Sequence, residues 1–283
     1  MFYDTSSFMK PAPHLRDDRF HALVMLLPRE SKRLLARAVL QMPEVKRVLE
    51  DGWFVVSRDV TPAYILEELT GQAADKGNST AGIVTSGRLA SVIEEDRLGP
   101  WVFKDGDLSE TPAPQALGQF RARDVSIKGA NAVDHNGNIG VLAADGAGGT
   151  VGGIWGTLTA RGSHWVAPVS LERLVPDVIE AARVCGNHLW DLTMGQAAGL
   201  MPIVNAQVVT EIQALEILTG VTATHVASGG VAGSEGAVIL SLSGEESVVR
   251  EAFALLEGIK GEEQFEAPRL IPYIREPEAA PQR

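Results

Sequence analysis

The sequence predicts an α/β fold: a mostly parallel sheet with helices on both faces, followed by a smaller ferredoxin-like α+β unit. Short apolar or β-branched runs alternate with helical periods over the first part of the chain, which favours parallel strands joined by crossover helices. Residues 196–275 can be written in the order βαββαβ, that of a ferredoxin-like unit. At 283 residues, 45% of them hydrophobic and 22% charged, the chain suits one large domain or two smaller ones. The expected organisation is an irregular segment over 1–20, an α/β ligand-binding domain over 21–195, the ferredoxin-like unit over 196–275 and a disordered tail over 276–283.

Residues 21–27 (HALVMLL) form a continuous apolar run that reads as a buried strand ended by Pro28. Over 30–49, Leu34, Leu35, Ala38 and Val39 recur at helical spacing with Lys32, Arg33 and Arg37 on other faces. A second strand is expected at 53–57 (WFVVS), followed by a helix over 63–69 with Thr61 as N-cap, Pro62 at its first position and Gly71 past its end. Residues 81–85 and 100–103 read as strands, and 104–119, with two prolines, as a loop. Further on, 200–209 reads as a strand, 210–219 as a helix stopped by Gly220, and 222–227 and 237–242 as strands joined by a glycine-rich turn. Ser243 and Glu246 suggest a capping box for a helix carrying Val249, Phe253, Leu256 and Ile259, with a last strand near 265–273.

Composition narrows the function classes. No apolar run approaches the roughly 20 residues that span a bilayer, and 1–20 carries no apolar block of the kind an export signal needs, so a cytoplasmic protein without a membrane partner is expected. A net charge of −11 argues against nucleic acid, whose phosphates are neutralised by Lys and Arg. The single cysteine, Cys185, forms no internal disulfide, and no His-Glu-x-x-His or paired-aspartate pattern points to a metal; neither metal nor cofactor is expected.

The densest cluster of chemistry-bearing residues lies between Lys128 and Arg161. Lys128, Asn131 and Asp134 fall in one short segment, and Gly146, Gly148, Gly149, Gly152 and Gly153 flank Thr150 in another. Such glycines let backbone N–H groups approach an anion closely, although neither accepted phosphate fingerprint is matched. Thr61 opens a helix whose start offers free N–H groups to an anion. Lys128 and Arg161 would neutralise charge, and Asp134 and Lys128 are the catalytic candidates. His164 would stand on the same rim and, with His135, has an unperturbed pKa suited to proton transfer. Thr61, Asn131, Gly146, Gly148, Gly149, Thr150, Arg161 and His164 are the expected ligand contacts.

Residues 31–39 (SKRLLARAV), 60–69 (VTPAYILEEL), 128–134 (KGANAVD) and 153–160 (GIWGTLTA) resemble the superfamily of ribose-5-phosphate isomerase, glucosamine-6-phosphate deaminase and CoA transferases, including its lactate-utilisation and methylthioribose-phosphate isomerase branches. The resemblance covers roughly 25–175. It implies a phosphate-binding turn before the helix at Thr61, and an acidic strand end near Asp134. The turn reads Ser57, Arg58, Asp59, Val60, without the family's glycines, and the family's catalytic acids align with Lys128, Asn131 and Ala132, leaving Asp134 as the acidic residue.

The function expected is an enzyme, isomerase- or transferase-like, that binds a phosphorylated or acyl small molecule, CoA-linked ones included. The alternative is a non-catalytic metabolite-binding or regulatory protein on the same scaffold. The partner in both readings is a small anionic metabolite, and a homo-oligomer is expected.

Overall fold

A computed structural model describes residues 19–273. The tail expected over 276–283, and all but the end of the segment expected over 1–20, lie outside the described residues. Strand β1 (Phe20–Leu26) leads into helices α1 (Pro28–Gln41) and α2 (Pro43–Glu50), strand β2 (Trp53–Val56) and helix α3 (Val60–Thr70). Two hairpins follow, β3 (Gly82–Thr85) with β4 (Arg88–Ser91), and β5 (Trp101–Lys104) with β6 (Asp107–Ser109), then α4 (Ala113–Gly118), β7 (Val125–Ile127), β8 (Ala132–Val133) and β9 (Ile139–Ala143). After α5 (Gly149–Arg161), β10 (His164–Pro168) and α6 (Val178–Arg183) come β11 (Gly199–Ile203), β12 (Gln207–Val209), α7 (Glu211–Thr219), β13 (Thr222–Ser228), β14 (Val238–Gly244) and α8 (Glu246–Glu257).

The architecture is mixed α/β. The central sheet has six strands in the order β12, β10, β7, β2, β5, β6. Its first four are parallel, and β5 and β6 close it as an antiparallel edge. Because successive strand residues face opposite sides, Phe54 and Val56 of β2 enter one core with Leu34 and Val39 of α1, Val48 of α2, Ile65 of α3 and Leu215 of α7. Trp53 and Val55 enter the other core, with Leu117 of α4 and Val151, Ile154 and Leu158 of α5. Helices therefore cover both faces. Each fully buried Leu, Ile or Phe in these layers contributes about 2 kcal/mol.

The helical period over 30–49 resolves into two helices, because Pro43 cannot continue α1 and instead starts α2. The expected N-cap of α3 is displaced as well: Asp59 caps it, its side chain accepting from Val60 N at 2.8 Å, so that Thr61 lies inside the first turn and is buried. Residues 104–119, expected as a loop, hold β6 and α4.

The order expected for 196–275 is not the one that forms. The run 200–209 divides into β11, which pairs antiparallel with β9, and β12, which joins the central sheet beside β10. The sheet of β13 and β14 is completed by β1 from the other end of the chain, with Phe20 opposite Gly244 and Leu26 opposite Val238. Glu245 rather than Ser243 stands at the N-cap of α8. Near 265–273 the structure has an isolated bridge of Leu270 to Val92 in place of a strand. The pairings of β1 and β12 both cross the 195/196 position.

Candidate functional site

Strands β2 and β7 are parallel neighbours, so their carboxyl ends emerge side by side, the usual place for a ligand on such a sheet. Arg58 and Asp59 follow β2, and Lys128 follows β7. Lys128 Nζ donates to Asp59 Oδ2 at 2.6 Å, with side chains 9% and 15% exposed. Burial would raise the Asp59 pKa, but Lys128, then Arg173, and the hydrogen bonds from Lys128 and Val60 N hold it below the ordinary carboxylate value. Gly129 permits this approach, since a Cβ there would stand 2.8 Å from Asp59 Oδ2.

Above the pair lies a cavity of about 590 Å³. Its walls are the β3–β4 hairpin, the end of β9 and the first turn of α5. Arg58 and Arg97 face it with Lys128, against the carboxylates of Asp59 and Asp145. Each arginine is anchored through Nε to a main-chain carbonyl, Arg58 to Leu98 O at 3.1 Å and Arg97 to Val92 O at 2.9 Å. Among the described residues, neither guanidinium has a carboxylate within ion-pair distance. Burial and then the charge of Arg97 depress the Arg58 pKa, against a smaller opposing pull from Glu94. Two like charges thus share one concavity.

Neutral donors complete the lining. Asn131 Oδ1 accepts from Leu142 N at 2.9 Å, so the amide NH₂ of Asn131 is the end left to face the cavity. Gln196 Oε1 likewise accepts from Ser91 Oγ, which leaves its NH₂ for the same space. The oxygens of both amides are held by the protein, and a ligand is offered donors.

The structure brings Lys128, Asn131, Gly148, Gly149 and Thr150 together at this cavity. The glycine segment, however, is the start of a helix rather than a wrapping loop. Asp145 Oδ1 accepts from Ala147 N at 2.8 Å and Gly149 N at 3.1 Å, and these bonds lower its pKa. The amide of Gly149, one of those expected to cradle an anion, and that of its neighbour Ala147 therefore already hold the chain's own carboxylate. Gly146 is exposed and lies outside the lining.

The remaining candidates are placed elsewhere. Thr61 is buried within α3. Asp134 sits at the tip of the β8–β9 hairpin, whereas Asn131 stands at the open end beside the cavity. Its carboxylate accepts from Asn136 N at 2.9 Å, Asn138 N at 3.0 Å, Asn138 Nδ2 at 3.0 Å and Val178 N at 3.1 Å. Burial would raise the Asp134 pKa, and these four donors bring it below the usual value instead. Asp134 thus buckles its turn and lies outside the cavity lining.

Arg161 and His164 lie at the opposite end of the sheet from Lys128. The thirteen residues of α5 carry the chain about 20 Å down from the rim, and His164 begins β10 rather than ending it. Arg161 Nη1 donates to the carbonyls of Leu117, Gly118 and Phe120, and His164 Nδ1 pairs with Gln207 Oε1 at 2.9 Å. Cys185 follows α6, and burial raises its thiol pKa, the reverse of what a nucleophile needs. Among the described residues, no group of three or more His, Cys, Asp or Glu is placed to hold a metal ion, and no helix is long and apolar enough to cross a membrane.

Sequence reasoning missed Arg58, Asp59, Arg97 and Gln196 as site residues. A signal for the first two existed: they directly follow the strand-like run 53–57, where a parallel sheet presents its ligand contacts. Arg97 and Gln196 carried none, because only the fold of the β3–β4 hairpin brings them in. No family model, curated protein or solved structure matches the chain.

Proposed function

We propose that this protein binds a small phosphorylated or carboxylated metabolite above the carboxyl ends of β2 and β7. Arg58 and Arg97 receive the negative charge, and Lys128, Asn131 and Gln196 orient it. The observation that carries this reading is the pair of guanidinium groups that face one cavity without a carboxylate partner among the described residues. An anion between them relieves their repulsion and accepts charge-assisted hydrogen bonds. The resemblance to sugar-phosphate isomerases and CoA transferases carries the same expectation of an anionic ligand.

The test is isothermal titration calorimetry with inorganic phosphate, pyrophosphate, sugar phosphates and short carboxylates. Binding should weaken about tenfold in Arg58→Ala and again in Arg97→Ala, the equivalent of about 1.4 kcal/mol for one charged hydrogen-bonding partner. Anions that bind the double variant as tightly as the native protein would refute the assignment.

A second reading, an isomerase- or transferase-like enzyme, rests on the Lys128–Asp59 pair, whose lysine faces the same cavity. In it Lys128, held in place by its contact with Asp59, stabilises negative charge that develops on the ligand. The non-catalytic alternative keeps the same contacts. Turnover of any ligand that binds, lost in Lys128→Met with binding retained, selects the enzyme; binding without turnover selects the receptor.

A further inference from the structure

The anion cavity does not end at its polar lining. A second cleft of about 380 Å³ opens beside it, and the two share Val84, Leu89, Leu142, Gln196 and Ala198 along their walls. Its outer wall is apolar: Trp190, Leu192 and Met194 are 42%, 74% and 86% exposed. That wall is tied down. Leu89 N donates to Met194 O and Gln196 N to Leu89 O, while Trp190 Nε1 donates to Ala198 O at 2.8 Å, which fixes the indole. Gly195, at φ 110°, lets the segment press onto β4, since a Cβ there would stand 2.1 Å from Leu89 O. A preformed apolar trough thus adjoins a pocket in which two guanidinium groups and two side-chain amides face the space.

We infer that the ligand is amphipathic: a phosphate monoester or carboxylate whose anionic head lies between Arg58 and Arg97 and whose acyl or alkyl chain runs into the trough along Leu142 and Trp190. The inference rests on the anion-receptor reading and names the substrate class for that site. The common lining selects this occupant, because Val84, Leu89, Leu142 and Ala198 border both spaces, so a chain attached to an anion in the polar cavity meets apolar side chains that also line the trough. Large exposed side chains grouped beside a concave site mark a binding surface rather than scattered exposure.

The experiment is a calorimetric series of inorganic phosphate, ethyl, butyl, hexyl and octyl phosphate, with butanoate to octanoate and the matching alcohols, all below their micelle concentrations. Inorganic phosphate reports the head site alone. Each added methylene should tighten binding about fourfold, the fold-change that about 0.8 kcal/mol per buried methylene represents, until the trough is filled. The comparison of phosphates with carboxylates identifies the head. Leu192→Ser/Met194→Ser, altered only at exposed positions, should flatten this dependence and leave inorganic phosphate unchanged, whereas Arg58→Ala should weaken every anion by a common factor.

Affinity for phosphate that does not vary with chain length would overturn the amphipathic ligand and leave the anion site standing. Alcohols that bind as well as the anions, with no binding of inorganic phosphate, would remove both. A dimer by analytical ultracentrifugation that Leu192→Ser/Met194→Ser converts to monomer, with no response to chain length, would assign the trough to a second copy and overturn the inference.

Discussion

Replacing Asp134 by alanine strands three main-chain amides and the Asn138 side chain, and should cost about 3 kcal/mol of stability by denaturant titration. Anion binding should survive in the folded fraction, since Asp134 lies outside the cavity. The folded pKa of Asp134 is below its ordinary value of 3.8, so the unfolded chain takes up the proton first as pH falls. Its stabilisation is therefore complete above about pH 4 and fades as the pH drops through the folded value. Asp134→Asn should melt below the native protein at pH 7, with the gap narrowing towards pH 3. A gap that widens in acid would contradict the assignment. Asp59 was passed over for a similar reason to the one that promoted Asp134: an acidic letter in a polar segment does not say whether its oxygens face a ligand, a lysine or the chain's own amides.

At the level of the secondary-structure element, the entry to α5 carries a sharp test. A Cβ on Gly152 would meet Ala147 O at 1.8 Å, whereas one on Gly153, a residue further along the same helix, meets nothing within 4 Å. Gly152→Ala must shift the turn that Asp145 holds, and should lower stability by more than about 1 kcal/mol while weakening anion binding at the Gly148–Thr150 rim. Gly153→Ala should raise stability by about 0.5 to 1 kcal/mol, because it removes helix-opposing backbone freedom. Thermal melts of the two variants moving in the same direction would refute this account. Strand β2 was legible because a buried strand reads as a continuous apolar run, whereas β7 was not, since its three residues have Ser126 at their centre. The start of α5 was not, since its glycines mask a helix whose buried side, Val151, Ile154 and Leu158, keeps helical spacing. The break between α1 and α2 was written in Pro43, but it is hidden by an apolar period that carries on across it.

For the molecule as a whole, sheet pairing sets the unit of folding. β1 finds its partner in β14, and β12 is the edge strand of the central sheet beside β10, so a fragment ending at residue 195 would lack both neighbours. Residues 19–195 alone should show no cooperative melt, in contrast to the full chain; a sharp two-state transition in the fragment would show that the part before 195 is self-sufficient. Strand partners so far apart leave no mark on local periodicity, which is why the helix-and-strand rhythm was readable and the topology of the last third was not. The cavity suffers likewise, since it assembles from the ends of β2 and β7, a hairpin and the residues around Gln196. The β1–β14 ladder also has a consequence for biosynthesis. Its two strands are more than two hundred residues apart, so as the ribosome emits the chain, β1 waits through the synthesis of all the residues between them with its hydrogen-bonding edge open. Contacts of such long sequence separation form late and slowly, and a nascent edge of this kind is where holding chaperones would be needed most.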